Sequence, residues 1–414
     1  MANTVLTPTA VTRSAAVILH EEGKLLRRVN RQYDAQQPDG RKAGGSIKIR
    51  MPNQYTVRRT TVMNVQDIEE KSETLTIAEP FGVDLNFTDS ELALSIEDFS
   101  SRILRPALKR LVSEVESFFY LDFCNSVANM IDNDGTAITF KNVMDANRRL
   151  RENLAPDDME DLSLFLSPKH NATLIDALKG LFVPQQQLGA QFRSADMLPV
   201  AGVGQVAVST HATDLTTGTA AEGDTSYLTD IAAGEAAGTD GSAGIHIDTG
   251  AATFKAGEVF EIESVNAVHP ETKADLGYRK QFVVSTNFAG GGEGDLKFKP
   301  ISGGDDGIVS SGARQNVSAA PADGKIIYKI GGGNADTLNR SLYFQRDSYA
   351  VSFADLENPR KYGAWGDVQV VDNISVRIWR QGDITNGKFP TRLDVLCGGK
   401  CIRPELACRI HADG

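Results

Sequence analysis

Cysteine is scarce: four in 414 residues, too few for a disulfide scaffold in a chain of this length. Cys397, Cys401 and Cys408 cluster near the C-terminus, but zinc would need a fourth ligand, and the only nearby histidine is His411. Free thiols in β-structure, with no metal and no cofactor, are therefore expected. The six histidines (His20, His170, His211, His246, His269, His411) are scattered, without a His-Glu-x-x-His pair. No Gly-Lys-Ser/Thr phosphate loop and no Gly-x-Ser-x-Gly elbow occurs, and Gly290–Gly294 lacks the lysine that a phosphate site needs. The N-terminus carries no basic region followed by a long apolar run. Its longest apolar stretch, Ala15 to Leu19, is far short of the roughly 20 residues of a membrane span. A soluble protein made in the cytoplasm, with no membrane partner, is the expectation. Positive charge is also in deficit: Lys+Arg 43 minus Asp+Glu 54 gives −11, which argues against a dedicated nucleic-acid binder.

What is present is unevenly distributed. Hydrophobic residues at 41% and charged residues at 23% are ordinary for a globular chain, and the length allows two or three domains. Of the 38 glycines, 23 fall in 201–340, and that segment holds 10 basic against 18 acidic residues. A second asymmetry lies near the start. Residues 1–62 carry 11 basic and 4 acidic residues, and residues 63–98 carry one basic and ten acidic. Either the two arms of a hairpin neutralise each other, or a basic arm meets an acidic surface on a neighbouring copy; complementarity of that kind registers association more than it adds affinity.

Periodicity predicts an amphipathic helix over 9–33 and a loop at Gln37–Gly40 ending in Gly44-Gly45. Alternation through Ile47, Ile49, Met51, Tyr55, Val57, Leu75 and Ile77 predicts a long β-hairpin or extended flap. From Ser95 to Ile131, Leu104, Leu108, Leu111, Val115, Phe118, Phe119, Phe123, Val127 and Met130 make one apolar stripe. Pro106 kinks this helix or marks a first turn. Helices over 142–154 and 168–181 flank a buried strand at 162–166. Between about 213 and 337, short β-like segments (245–248, 259–265, 281–284, 296–299, 326–330) alternate with glycine-rich turns, which reads as a β-rich insertion into an α/β host. Strands resume at 341–344, 350–353, 368–371, 375–379 and 393–397.

The acidic motifs fail as sites. With Gly135 in the sixth position of a calcium loop, Met130 and Lys141 fall where acids are required, so Asp132–Gly135 reads as a hairpin turn. Asp305-Asp306 and Asp157-Asp158 read as solvated turns. No catalytic pair emerges, and an enzyme is not expected.

The order of parts resembles the major capsid proteins of tailed bacteriophages, and within them the coat proteins of the short-tailed Salmonella phage (P-twenty-two) type. Gly45–Pro52 opens the extended loop, Val83–Phe87 precedes a spine helix containing Arg102–Ala107, and Phe254–Phe260 and Leu296–Pro300 resemble strands of an inserted barrel. Gly382–Thr385, the strand to Cys397 and Arg403-Pro404-Glu405 resemble the closing strands. The resemblance implies an α+β, HK-ninety-seven-like capsid fold with an N-terminal arm (1–40) and an extended loop (41–82). It further implies a peripheral and axial core (83–212 and 338–414) and an inserted β-barrel-like domain (213–337). It implies a shell of many copies of the chain, assembly contacts at Arg50, Arg58, Arg59, Glu69, Glu70 and Glu73, and no self-cleavage. The implied partners are a scaffolding protein, a portal protein at one vertex, packaged double-stranded DNA bound without sequence specificity, and decoration proteins. A β-rich tail or adhesin subunit is the alternative.

Overall fold

The computed structural model describes residues 8–32, 45–63, 65–68, 70–88, 103, 105–156, 158–178, 202–231, 244–248, 250–301, 307–371, 374–382 and 388–413. The expectations for the loop at 37–40, for Glu69, for the helix between Ser95 and Arg102, for Asp157, for Asp305-Asp306 and for Asp383–Thr385 lie outside the described residues.

The described elements run α1 (Pro8–Glu22), β1 (Ser46–Arg50), β2 (Ser72–Thr76), β3 (Glu79–Thr88), α2 (Arg105–Ser126), β4 (Met130–Ala137), α3 (Phe140–Glu152), β5 (Leu162–Leu166), α4 (Pro168–Leu178), β6 (Gln205–Val208) and β7 (Leu215–Thr216). They continue with β8 (Gly244–Ile247), β9 (Val259–Val268), β10 (Asp275–Val283), β11 (Gly294–Lys297), β12 (Ile327–Ile330), β13 (Thr337–Leu338) and β14 (Arg340–Gln345). The last are β15 (Tyr349–Ala354), β16 (Trp365–Val371), β17 (Ile374–Arg380), β18 (Lys388–Cys401) and β19 (Ala407–Asp413). The fold is mixed α+β. Two compact units divide it: Met1–Ile49, Thr74–Tyr120 and Ala350–Lys400 in one, Arg50–Glu73, Leu121–Tyr349 and Cys401–Gly414 in the other.

In the first unit, β18 organises an antiparallel sheet. Ten successive residues, Lys388 to Cys397, pair with Thr88 to Glu79 of β3, while Thr391–Asp394 also pair with Arg380–Arg377 of β17 on the other edge. Helix α1 packs on β16 and β17 through its buried Val11, Ala15 and Ile18. Its helical span stops at Glu22, the chain turns through 24–28, and Leu25, Leu26 and Val29 are buried. In α2, Leu108, Leu111, Val112, Val115 and Phe119 are buried at helical spacing. Pro106 is its second residue, so the missing N–H falls in the first turn, where no intrahelical acceptor is needed. Glu116 of α2 is 3% exposed and accepts the backbone N–H of Leu25 at 2.6 Å.

In the second unit, a mixed five-stranded sheet runs β4-β19-β14-β5-β6. One of its faces meets α3 through a core that includes Val143, Ala146, Leu150, Leu164, Tyr343, Cys408 and Ile410. On the other, Phe344 meets Phe123 edge-on at 5.0 Å and Phe165 at 5.6 Å. The predicted hairpin turn at Asp132–Gly135 is instead a bulge within β4. His411 and Ala412 pair with Asp132 and Asn133, and the next pair is Asp413 with Ala137. Gly135 takes φ 71°, and the Asn133 side-chain amide donates to the Ala137 carbonyl at 2.8 Å, closing the extra residues locally.

The glycine-rich segment folds around its own apolar cluster, which draws Tyr227, Ile245, Phe254, Phe260, Phe282, Leu296, Phe298 and Ile327 from between 220 and 327. At its neck, Leu215 and Thr216 pair with Leu338 and Thr337. Lys329 and Glu258, each 1% exposed at the side chain, form an ion pair at 3.2 Å. Glu258 also accepts from the backbone N–H of Gly218 at 2.7 Å and Lys255 at 2.6 Å, and Lys329 donates to the Ala220 carbonyl at 2.7 Å. With a further bond from Lys329 to the Gly333 carbonyl at 3.3 Å, all three ammonium donors and both carboxylate oxygens have partners, which makes burial of the two charges tolerable. The segment is tied to β4 by Gln281, whose side chain accepts from Met130 N–H at 2.7 Å and donates to Met130 C=O at 3.1 Å. At Gly257, φ is 94°, and a Cβ would lie 2.5 Å from Asn125 Oδ1.

Two outcomes are expected. Lys329→Met strands the Glu258 charge and should cost about 3–5 kcal/mol in urea unfolding, with Lys329→Met/Glu258→Gln recovering part of the loss. Burial pushes the Glu116 carboxyl up from 4.5 to about 7, against the pull of the N–H donors. The folded form therefore holds this proton more tightly than the unfolded chain. Its contribution to stability is complete below about pH 4.5 and is lost as pH rises through about 7, by an amount on the order of 3 kcal/mol. Denaturation midpoints measured from pH 5 to 8 should show that decline in the wild type and a flatter profile in Glu116→Gln.

Candidate assembly surface

Alternation places Ile47, Ile49, Leu75 and Ile77 on one buried face of the β1–β2 hairpin. Ladder pairing ends where Met51 N–H meets Lys71 C=O at 2.9 Å. Beyond it no further rungs occur among the described residues, so the flap is laddered only at its base. Pro52 has no N–H to offer there. A side chain substitutes for the missing ladder. The Gln66 amide accepts from Thr56 N–H at 2.8 Å and donates to Thr56 C=O at 2.6 Å, reproducing with one amide the paired bonds of an antiparallel rung. The tip is closed by Arg58, whose guanidinium donates to the carbonyls of Thr60 and of Val62, the latter at 2.7 Å.

The charged candidates separate by environment. Arg50 and Glu70 pair at 3.5 Å within one flap, at 80% and 60% exposure, a contact worth at most about 1 kcal/mol. Arg58 is exposed but engaged by its own tip, and Arg59 is exposed. Glu73 is 2% exposed and shares the inward face of β2 with Leu75. Charge alone therefore misses the main feature of the surface. Tyr55, Val57, Val62, Met63, Val65 and Ile68 are all 59–90% exposed within fourteen residues. Burying each of them on a partner would contribute roughly 1.5–3 kcal/mol before ordering costs. The signal was readable in the sequence as β-branched and apolar residues without a polar counterpart on an opposite arm.

No competing chemical centre is present among the described residues. No group of three or more His, Cys, Asp or Glu side chains is placed to hold a metal ion. Cys124, Cys397, Cys401 and Cys408 are free thiols. Burial drives the Cys397 and Cys401 thiols well above their ordinary range and Cys408 to about 12, so these three stay protonated and unreactive. A cleft of about 460 Å³ in the first unit is lined by Tyr362, Trp365, Trp379, Arg380 and Phe389. Arg380 stacks 3.7 Å over Trp365. The cleft has aromatic walls but no acid–base pair. No described helix is long and apolar enough to cross a membrane.

The sequence profile of the family described as P22 coat protein, gene protein 5, matches residues 20–409. No curated relative matches the chain. Similar solved structures include one from Mycobacterium phage Che8, at 11% identity over 92% of this chain and 88% of that one, with TM-score 0.45. Another is the capsid of Ralstonia phage GP4, at 7% identity over 93% and 87%, with TM-score 0.46. A third is the capsid of the cyanophage P-SCSP1u, at 10% identity over 91% and 86%, with TM-score 0.43. The family match spans nearly the whole chain, flap and glycine-rich segment included: the chain belongs to the P22 coat protein family and is a structural, non-enzymatic major capsid protein of a bacteriophage virion.

Proposed function

We propose that many copies close into an icosahedral shell around the phage genome, with the flap at about 41–82 laid over a neighbouring copy. The observation that carries this is the set of six exposed apolar side chains at 55–68. An apolar surface of that kind on a folded subunit marks an interface, and isologous or ring-closing repetition multiplies modest pairwise contacts. Arg50, Arg58, Arg59, Glu69, Glu70 and Glu73 stand as the accompanying charges, with Arg59 the most available and Glu73 acting within its own flap. We read 1–40 as an arm, 83–212 with 338–414 as the host, and 213–337 as an inserted barrel-like domain. The neck at Thr216 and Thr337 supports that last reading. So does a pairing path that leaves β10 through β9 and β12, crosses Leu228 and Thr229 to β8 and β11, and returns through Phe298 to Val284.

Synthesis in the host cytoplasm, a separate scaffolding protein, a portal at one vertex, DNA held inside without sequence-specific contacts and decoration proteins outside complete the proposal. The acidic balance of −11 suits a wall along which packed DNA slides.

Electron microscopy of the chain co-expressed with scaffolding protein should show closed shells. Trimers, fibres or stable monomers in place of shells would overturn the icosahedral reading. Arg59→Glu, and separately Val57→Asp/Val65→Asp, should abolish shells while leaving the circular dichroism of the subunit unchanged; normal shells from Arg59→Glu would mean that the two flap arms neutralise each other. Intact mass of mature particles should equal that of the full chain, and a shortened N-terminus would contradict assembly without cleavage.

A further inference from the structure

Residues 227–231 form a strip that joins two sheets of the glycine-rich segment. Toward β12 and the turn before it, Ile327 N–H donates to the Tyr227 carbonyl at 2.9 Å, Thr229 N–H to the Lys325 carbonyl at 2.9 Å, and Gly324 N–H to the Thr229 carbonyl at 2.8 Å. Toward β8, Asp248 N–H donates to the Leu228 carbonyl at 3.1 Å and Asp230 N–H to the His246 carbonyl at 2.9 Å. The strip thereby links the β10-β9-β12 sheet to the β8–β11 pair.

Register places three titratable side chains in one row. Thr229 faces Ile247, so Asp230 faces His246, and His246 faces Asp295 of β11. Residues directly opposite on neighbouring strands share a face of the sheet. The imidazole is flanked accordingly: Nδ1 lies 2.9 Å from Asp295 Oδ1, and Nε2 lies 4.0 Å from Asp230 Oδ2. The three side chains are 35–57% exposed, so solvent protons reach them freely. Glu293, just ahead of β11, adds a third negative charge. Asp248 follows His246 by two positions and Lys297 follows Asp295 by two, which puts both on the same face by alternation. The hydrogen bond to Asp295, followed by the charges of Asp295, Asp230 and Glu293, raises the imidazole above its usual range against the opposing effect of desolvation.

An imidazolium has two N–H donors and a neutral imidazole has one. Charged, the ring donates to Asp295 and attracts Asp230, spanning three neighbouring strands. Neutral, it turns a lone pair toward one of its neighbours, and the row keeps its negative charges without the cation between them. The opposite joint of the two sheets is made of backbone bonds, Ser285 N–H to the Lys297 carbonyl at 2.9 Å and Lys299 N–H to the Val283 carbonyl at 2.9 Å.

We propose that Asp230, His246 and Asp295 act as a proton-operated clasp, which holds the strip at 227–231 tightly onto β8 when the imidazole is charged and slackens it when the ring is neutral. The folded form holds this proton more tightly than the unfolded chain. The contribution of the clasp is therefore complete below about pH 6.5 and is lost as pH rises through the raised value of the ring. One of the two seams of the glycine-rich segment is thus set by the pH of the solution.

The test is hydrogen–deuterium exchange of the full-length chain at pH 6 and pH 8.5, each rate divided by the intrinsic rate at that pH. Protection at 228–231 and 246–248 is read against that of β9 in the same molecule, which removes any global change, including the one expected from Glu116. Relative protection of the seam should be about two- to fivefold greater at pH 6, the range of an exposed ion pair, and His246→Gln should abolish the difference. Exchange of the imidazole C2 hydrogens, followed peptide by peptide, should place the His246 midpoint above the usual histidine value in the wild type, and lower it in Asp295→Asn and in Asp230→Asn. Equal relative protection at the two pH values, an undiminished difference in His246→Gln, or a His246 midpoint that neither Asn variant moves overturns the clasp.

Discussion

The pairing of β14 with β19 is the constraint on which the second unit depends. Five residues of each strand are in register, Arg340 with His411 through Phe344 with Ala407, and all ten are buried. β14 is the first strand after the glycine-rich segment, and β19 is the last strand of the chain. The sheet therefore cannot be finished until everything between β7 and β13 has been made and its ends have met. Contacts this distant in sequence carry a large loop-closure entropy, and the neck at Leu215–Thr216 and Leu338–Thr337 shortens the effective loop. The Lys329–Glu258 pair acts in the same place, joining the strand that leaves the segment to the backbone that enters it.

The two faces of that sheet are built by different physics. Toward α3 the packing is aliphatic and replaceable in kind. Toward the end of α2 it begins with stacked aromatics around Phe123, Phe344 and Tyr349 and ends in hydrogen-bonded cations against the inserted segment. The aromatic part needs only shape. The polar part needs each donor met in one geometry, which fixes a unique docking position where an apolar contact would tolerate sliding. The flap has the opposite economy. Its base is laddered and alternating, its outer part relies on one glutamine and one arginine, and six of its apolar side chains stand exposed.

Much of this was legible in the sequence because the periodicities are clean. Leu108 to Phe123 at helical spacing located α2, uniform burial of Leu162–Leu166 followed from an unbroken apolar run, and the glycine-rich strands were found within a few residues. What escaped had local chemistry that pointed elsewhere. Asp132–Gly135 looks like a turn, and only the register of β19 shows that it bulges inside a strand. Residues 24–28 keep an apolar pattern but leave the helix to present N–H groups to Glu116, 91 positions away. β6 and β19 are short segments whose identity comes from parallel pairing with β5 and β4, for which the chain carries no nearby turn signal. Among the assembly residues, charge drew the eye to Glu73, whose place in the alternation with Leu75 and Ile77 was the better guide.

The neck has a consequence for how such a chain can change over time. Thr216 and Thr337 are direct partners on adjacent antiparallel strands, about 4.8 Å apart in the hydrogen-bonding direction. The five-stranded sheet meets what lies between them at those two positions and at moorings such as Gln281 and Gly257. Lengthening or trimming the loops of the glycine-rich segment leaves the β14–β19 register intact. Sequence between those two threonines is therefore free to vary in length while the strands on either side keep one register.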